Sequence, residues 1–349
     1  MFTFIPMGNG FRRAAPFALI VAFGLAACGG GYSGSGSGYG MSTGGGPGSK
    51  LFGADSAHMA IGSLANPNPP AGMIAVDRII SGPVYTMLSS NIGSLALDPA
   101  LDYLYVGNGT SILVFYGASM AYGDIPPTRS ISGIGNTGSL FLDTVNNRLY
   151  VGDDGNGVKV FNGASTANGA PAPNRTITGD FGASFQIFGV AVDTTPTNDI
   201  LYVSNRNVTA SSYQISVFTP ASTVSGSNTP NRTITPTVSN MNLPVAGISL
   251  DTANNRLYVA GAPNPTVMVF DNASTANTNG QIAPTKTLIG FPSGILNVVV
   301  DTVNDRLYAV GVSGVYIVNS VSTATGMVPA TAILPVAGGN LTAVAVNPM

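Results

Sequence analysis

The chain has 349 residues, 44% of them apolar and only 8% charged, with 45 glycines, 24 prolines, one cysteine and no tryptophan. Its 13 basic side chains face 15 acidic ones, all Asp, for a net charge of −2; that balance gives no basic footprint for nucleic acid, and a lone cysteine excludes an intramolecular disulfide. With so few charges the surface must be built from Asn, Ser, Thr and Gly, which suits an extracytoplasmic protein that binds neutral partners or mainly stays soluble.

In chain order, Arg12 and Arg13 precede an apolar run over residues 14–27 that is too short to cross a bilayer. The run ends in Leu25-Ala26-Ala27-Cys28, which resembles the bacterial lipobox. That resemblance implies a signal peptide over residues 1–27, cleavage before Cys28 and lipidation of Cys28, so the protein is expected to be exported and held at the cell envelope by a membrane anchor. The alternative is an ordinary secretory signal with an incidental cysteine, but Cys28 sits where the motif needs it. Ala14, Ala15 and Pro16 follow the arginines and fit a twin-arginine signal poorly, so the general secretory route is expected. Gly29, where an Asp would retain the protein at the inner membrane, resembles sorting to the outer membrane if the source is Gram-negative. Losing Arg12 and Arg13 leaves 11 of the 13 basic side chains against 15 acidic ones, a net charge of −4. Residues 28–49 are almost wholly Gly, Ser, Tyr and Thr, a flexible linker with a reach of about 25 Å.

From residue 50 onward one phrase recurs at a period of about fifty residues, seen in full from Leu140 as LFLDTVNNRLYVGDDGNGVKVFNGASTANGAPAPNRTITG. Such self-similarity marks units that hold one small sheet each and bury its faces only by stacking. Each unit reads as four strands. The first is an apolar run ending in Asp, at residues 95–98, 140–143, 190–193, 248–251 and 298–301; the second carries a Leu-Tyr pair at Leu104, Leu149, Leu201, Leu257 and Leu307. The third alternates towards Phe, as at Phe161, Phe218 and Phe270, and the fourth is a basic phrase beginning at Arg129, Arg175, Arg232 or Lys286. These runs are short, rich in β-branched and aromatic residues, and separated by Asn, Gly, Pro and Asp, which is strand chemistry punctuated by turns.

The units fall near residues 94–137, 138–188, 189–246, 247–296 and 297–340, and the chain then ends in a first-strand phrase, Val344-Ala345-Val346-Asn347, with nothing after it. Its missing partners stand at the other end: Leu51-Phe52 for the Leu-Tyr pair, residues 58–61 for the third strand and Arg78-Ile79-Ile80 for the fourth. A unit split between 341–349 and 50–93 makes sense only in a closed ring, which removes exposed sheet edges. The fold class is therefore all-β, a six-bladed β-propeller over 50–349 whose closing blade is shared by the two ends. With these phrases in view, the repeats resemble those of bacterial NHL and YVTN-type propeller proteins, from which they depart in long third-to-fourth-strand loops such as residues 162–174 and in having no regular acidic residue after Leu-Tyr-Val.

Asp98, Asp143, Asp193, Asp251 and Asp301 recur in register and could ring a cation, but an Asp leading into a turn accepts backbone hydrogen bonds, and a residue repeated in every blade serves the blade. Arg148, Arg256 and Arg306 and the fourth-strand arginines, expected on the exposed outer edge, receive the same assignment. Function is expected where the phrase is broken. In the second-to-third-strand connections, Asp153, Asp154 and Asn156 offer oxygens of the kind calcium takes, yet the loop is short and lacks calcium-loop spacing, so no metal or other cofactor is expected. Asn205, Arg206 and Asn207, with Tyr213 after them, supply an arginine and an aromatic for a binding site. His58, the only histidine, could act as a general base if Asp55 oriented it; Ile112, Val158, Ile215, Val267 and Val315 take its place in the other units, so a core or rim role is expected.

Neither a G-x-S-x-G elbow, a Cys/His pair nor a C-x-x-C-H haem motif occurs, and there is no Glu of the kind that six-bladed lactonase-like hydrolases resemble one another in using as a channel metal ligand. The expected function is a monomeric, membrane-anchored, non-catalytic binding or scaffold module for an envelope protein or glycan. The alternative is a metal-dependent lactonase-like hydrolase or lyase using Asp carboxylates around the channel.

Overall fold

A computed structural model describes Gly48 and residues 50–68, 76–179, 181, 184–238, 241–275, 279–312, 314–329, 331–333 and 339–347. The expected signal peptide (1–27), the expected lipidation site Cys28 and, apart from Gly48, the expected linker (28–49) lie outside the described residues.

Six antiparallel sheets of four principal strands make a closed six-bladed β-propeller. Numbering blades by repeat, the first comprises Ile92–Asp98, Tyr103–Asn108, Ser111–Tyr116 and Arg129–Ile131; the second Thr137–Asp143, Arg148–Asp153, Gly157–Asn162 and Arg175–Ile177. The third comprises Phe185–Asp193, Ile200–Asn207, Ser212–Phe218 and Arg232–Val238, the fourth Ile248–Asp251, Arg256–Ala260, Thr266–Asp271 and Lys286–Ile289, and the fifth Ile295–Asp301, Arg306–Gly311, Gly314–Asn319 and Thr331–Ile333. The closing blade joins Leu341–Val346 to Leu51–Asp55, Ala60–Leu64 and Arg78–Ile80. Inner strands pack each on the next, and Leu341–Val346 touches both Ile295–Asp301 and Ile92–Asp98, which completes the circle.

The Leu-Tyr pair explains how blades stack. Alternation sends neighbouring side chains to opposite faces of the sheet, so Leu149 packs towards the first blade, beside Tyr105 and Val114, while Tyr150 packs towards the third, beside Phe185 and Val203. In two blades the tyrosine hydroxyl then ties blade to blade: Tyr105 donates to Ala164 O and Tyr308 to Pro67 O. Burial pushes the hydroxyls of Tyr202 and Tyr308 up to about 12.

The first-strand aspartates do cap turns. Asp98 accepts from Ala100 N and Leu101 N, Asp143 from Asn146 N and Nδ2, and Asp301 from Val303 N and Asn304 N. Next to them, Asp102, Asn147, Asp199, Asn255 and Asp305 sit at positive φ and bond a serine of the same blade's third-to-fourth loop, as Asp305 does Ser322 at 2.8 and 2.7 Å. The fourth-strand arginines are not on an exposed edge. Arg129 donates to Ala164 O and Ala167 O and Arg175 to Ala221 O and Val224 O, each reaching carbonyls of the following blade.

The long third-to-fourth loops have a physical use. A glycine from each of five lies in parallel register against the outer strand of the preceding blade: Ile80 with Gly123, Ile131 with Gly169, Ile177 with Gly226, Ile234 with Gly280 and Leu288 with Gly326. Outer strands are thereby covered, which answers the edge-strand liability.

Candidate functional site

Strands alternate in direction, so first-to-second and third-to-fourth connections open on one face, here the lower, and the others on the upper. On the upper face of the first, second and closing blades the second strand ends on a polar residue whose side chain holds the connection entering its own blade. Asn108 Oδ1 accepts from Ser89 N and Oγ, Asp153 from Gly135 N and Asn136 N, and Asp55 from Asn340 N. Leu-Tyr-Val-Gly-Asp and Leu-Tyr-Val-Ser-Asn put Asn205 at the same repeat place as Asp153. A recurring polar residue after Leu-Tyr-Val thus exists in these blades, alternating Asp with Asn, which a search for acidic residues alone overlooks.

Asp153 is fully buried, with Lys159 Nζ 2.6 Å from its carboxylate and Asn156 Nδ2 at 3.1 Å. Burial alone would raise its pKa, but the Gly135 N–H, then Lys159, Asn136 and Asn156, hold it below the usual carboxylate value. In Asp154 burial prevails and the pKa is raised, although Ile187 N and Asn136 Nδ2 donate to it at 2.7 and 2.8 Å.

Those bonds bring the two candidate loops together. Ile187 N donates to Asp154 and Gly155 N to Phe185 O, while Ile187 and Phe185 pair in register with Asn205 and Asn207. Asn205 is buried, its Nδ2 on Val203 O and Ser216 Oγ and its Oδ1 without a partner; Asn207 Oδ1 accepts from Ala210 N. Asn156 is exposed and Arg206, Asn207 and Tyr213 are half-buried. Arg206 Cζ stands 5.4 Å from the Tyr213 ring centroid, and Tyr213 stacks with Phe188 at 6.4 Å and 24°. Arg206 Nε is buried without a hydrogen bond. Phe188 was not foreseen, yet its signal is plain: the bulge of the inner strand carries Gly93 and Gly138 in the first two blades and Phe188 in the third.

The central channel, about 290 Å³, is lined by the six inner strands with Ser94, Ser139, Ser249 and Asn297 among apolar side chains. Ser139 and Ser249 accept Val190 N and Val300 N. Among the described residues the lining holds no carboxylate, because the first-strand aspartates serve the lower turns. His58 lies in the turn before Ala60–Leu64 and not in the third strand, where Ile61 faces Ile80 as Ile112 faces Ile131. Its Nδ1 is 2.6 Å from Asp55 Oδ2 and the side chain is 53% exposed, so Asp55 does orient it, on the upper rim. Among the described residues no group of three or more His, Cys or Asp side chains could hold a metal ion.

No family model matches this chain, and no curated protein matches it. Among solved structures it is similar to a chain of a nidogen/laminin complex, with 15% identity and a TM-score of 0.55 over 86% of this chain and 100% of that one. It is similar also to the WD40 β-propeller domain of Doa1, with 15% identity and a TM-score of 0.51 over 82% of this chain and 80% of that one. At such identity the likeness shows the β-propeller fold alone.

Proposed function

We propose that the protein is a non-catalytic binding or scaffold propeller of NHL/YVTN-like type, exported, lipid-anchored through Cys28 and presented at the cell envelope, where its upper face engages a protein or glycan. The observation that carries this is the Phe188–Tyr213–Arg206 shelf, a stacked aromatic pair under a guanidinium whose Nε has no acceptor. Aromatic faces and arginine forks are the groups that dominate recognition surfaces. Asn207 supplies an amide next to Arg206 and Asn156 one on the neighbouring loop, while Asp153, Asp154 and Asn205 hold the loops in place. Asn347 N bonds Lys50 O on the lower face, so a leash arriving there leaves the upper face open. The similar chain from a nidogen/laminin complex belongs to a protein–protein assembly, which suits a recognition role.

The test is capture of envelope proteins and glycans by the full chain, comparing wild type with Arg206→Met and Tyr213→Ala. Truncating a recognition hot spot costs 2 kcal/mol or more, so about thirtyfold weaker capture is expected. Equal capture by the two variants and the wild type, or none by any of them, refutes the proposal.

A further inference from the structure

On the lower face the second and third blades leave a cleft of about 220 Å³ between Arg148, Asp143, Tyr150, Thr194, Pro196 and Asp199. It exists because the repeat is broken there. The turn from the inner to the second strand spans Asp193 to Ile200 in the third blade, but only Asp143 to Arg148, Asp251 to Arg256 and Asp301 to Arg306 in the second, fourth and fifth. The longer turn, with Pro196, stands away from the neighbouring blade.

Arg148 is the residue left without its usual contacts. In the fourth blade Arg256 Nε bonds Asp271 of its own blade at 2.7 Å and its Nη1 crosses to Ser322 O of the fifth at 2.9 Å; Arg306 Nε bonds Asn319. The corresponding partners of Arg148 are Asn162, its register mate, and Ser222, and it bonds neither. Half-buried at the cleft, the Arg148 guanidinium makes no hydrogen bond or ion pair to any described residue, while its backbone keeps its place in the ladder between Asp143 and Asn162. Facing the same space are two carboxylates oriented by their turns: Asp143 held by Asn146 N and Nδ2, and Asp199 by Ser222 N and Oγ. Each carboxylate oxygen has a further lone pair to offer. No ion pair joins Arg148 to either aspartate among the described residues, so one positive and two negative groups are held apart across the space.

We infer that this cleft binds a small zwitterion of the amino-acid class, its carboxylate on the Arg148 guanidinium and its ammonium on Asp143 and Asp199. A simple anion would meet two carboxylates and a simple cation a guanidinium; only a ligand carrying both charges satisfies each end. The space equals roughly seven water shares, enough to admit any of the smaller amino acids.

Saturation-transfer NMR and calorimetry on the full chain test this with glycine, L-alanine, L-serine and L-valine at millimolar concentration, against acetate and methylamine as half-ligands. Binding of at least one amino acid is expected, with each half-ligand weaker by about tenfold or more, as is Arg148→Met, because each loses a charged hydrogen bond. Arg148→Lys keeps the charge without the fork and binds at an intermediate level, and Arg306→Met, altered at the same repeat place elsewhere, binds as wild type. Failure of all four amino acids to bind, acetate or methylamine binding as tightly as the best of them, or an Arg306→Met loss equal to that of Arg148→Met overturns the proposal. The half-ligand comparison uses unaltered protein and stands even if Arg148→Met fails to fold.

Discussion

Ring closure through the last strand can be tested at one residue. Leu341 and Val344 pack with Tyr308, Val310, Val315 and Ile317 of the fifth blade, and Ala343 and Ala345 with Leu104, Val106 and Leu113 of the first. The same strand pairs with Leu51–Asp55, and Asn340 N donates to Asp55 Oδ1 at 3.0 Å. Leu341 is 2% exposed, so Leu341→Ala removes a fully buried side chain and leaves a cavity, a loss of about 2–5 kcal/mol. With an unfolding entropy of about 2.1 cal/mol/K per residue over some 300 residues, that lowers Tm by roughly 3–8 °C. Circular dichroism melts and urea midpoints of the full chain measure it, with Val303→Ala, at 72% exposure, as a control that shifts stability by less than about 0.5 kcal/mol. An open array would let its last strand fray, since chain ends are poorly ordered unless tied down. Should Leu341→Ala melt with the Val303→Ala control, the closed ring is wrong. Removing residues 341–349 altogether should abolish the cooperative transition or lower it further.

Two other perturbations separate backbone and electrostatic causes. Gly157 has φ +96° and a Cβ there would lie 2.1 Å from Ile177 O, whereas Gly169 has φ +73° with open space around it; Gly169→Ala should cost about 1–2 kcal/mol and Gly157→Ala more than about 3 kcal/mol, read from urea midpoints and soluble yield, and equal losses would contradict the packing described. Asp153 has a folded pKa below its ordinary 3.8, so its contribution is present above that ordinary value and is lost as pH falls through the lower folded one. Asp153→Asn leaves the Lys159 ammonium with Gly133 O but without its carboxylate and should cost about 1.5–3 kcal/mol near neutral pH, with the gap to wild type closing in acid. Asp154 is shifted upward, so its contribution is present below 3.8 and lost as pH rises through the folded value; Asp154→Asn should remove that decline. Urea midpoints across this range check both signs, and parallel behaviour of the two variants would refute the assignment.

Much of the fold is legible in the sequence because propeller order is local. The Asp before the turn, the Leu-Tyr pair, the Phe that ends the third strand and the basic start of the fourth each act within about fifty residues, and the split phrase at the two ends requires closure. His58 lies in the turn and Ile61 in the third-strand place because the closing blade has no Leu-Tyr-Val to set that register in the sequence. The glycines that cover the outer strands, such as Gly169 and Gly226, also recur before a proline, but their meaning needs the neighbouring blade.

What the sequence determines by itself is therefore the blade and its number, since hydrophobic alternation and turn chemistry act between residues close along the chain. Only the tertiary structure decides what happens between blades. Arg129 and Arg175 become latches because the following blade offers carbonyls, Asp153 and Asp154 become clamps because Gly135 and Ile187 lie beside them, and Phe188, Tyr213 and Arg206 become one shelf. Arg148, alike in sequence to Arg256 and Arg306, is set apart by a longer turn in the blade beside it. Contacts made across a blade boundary join residues distant in sequence, and their chemistry depends on a neighbour that no single repeat contains.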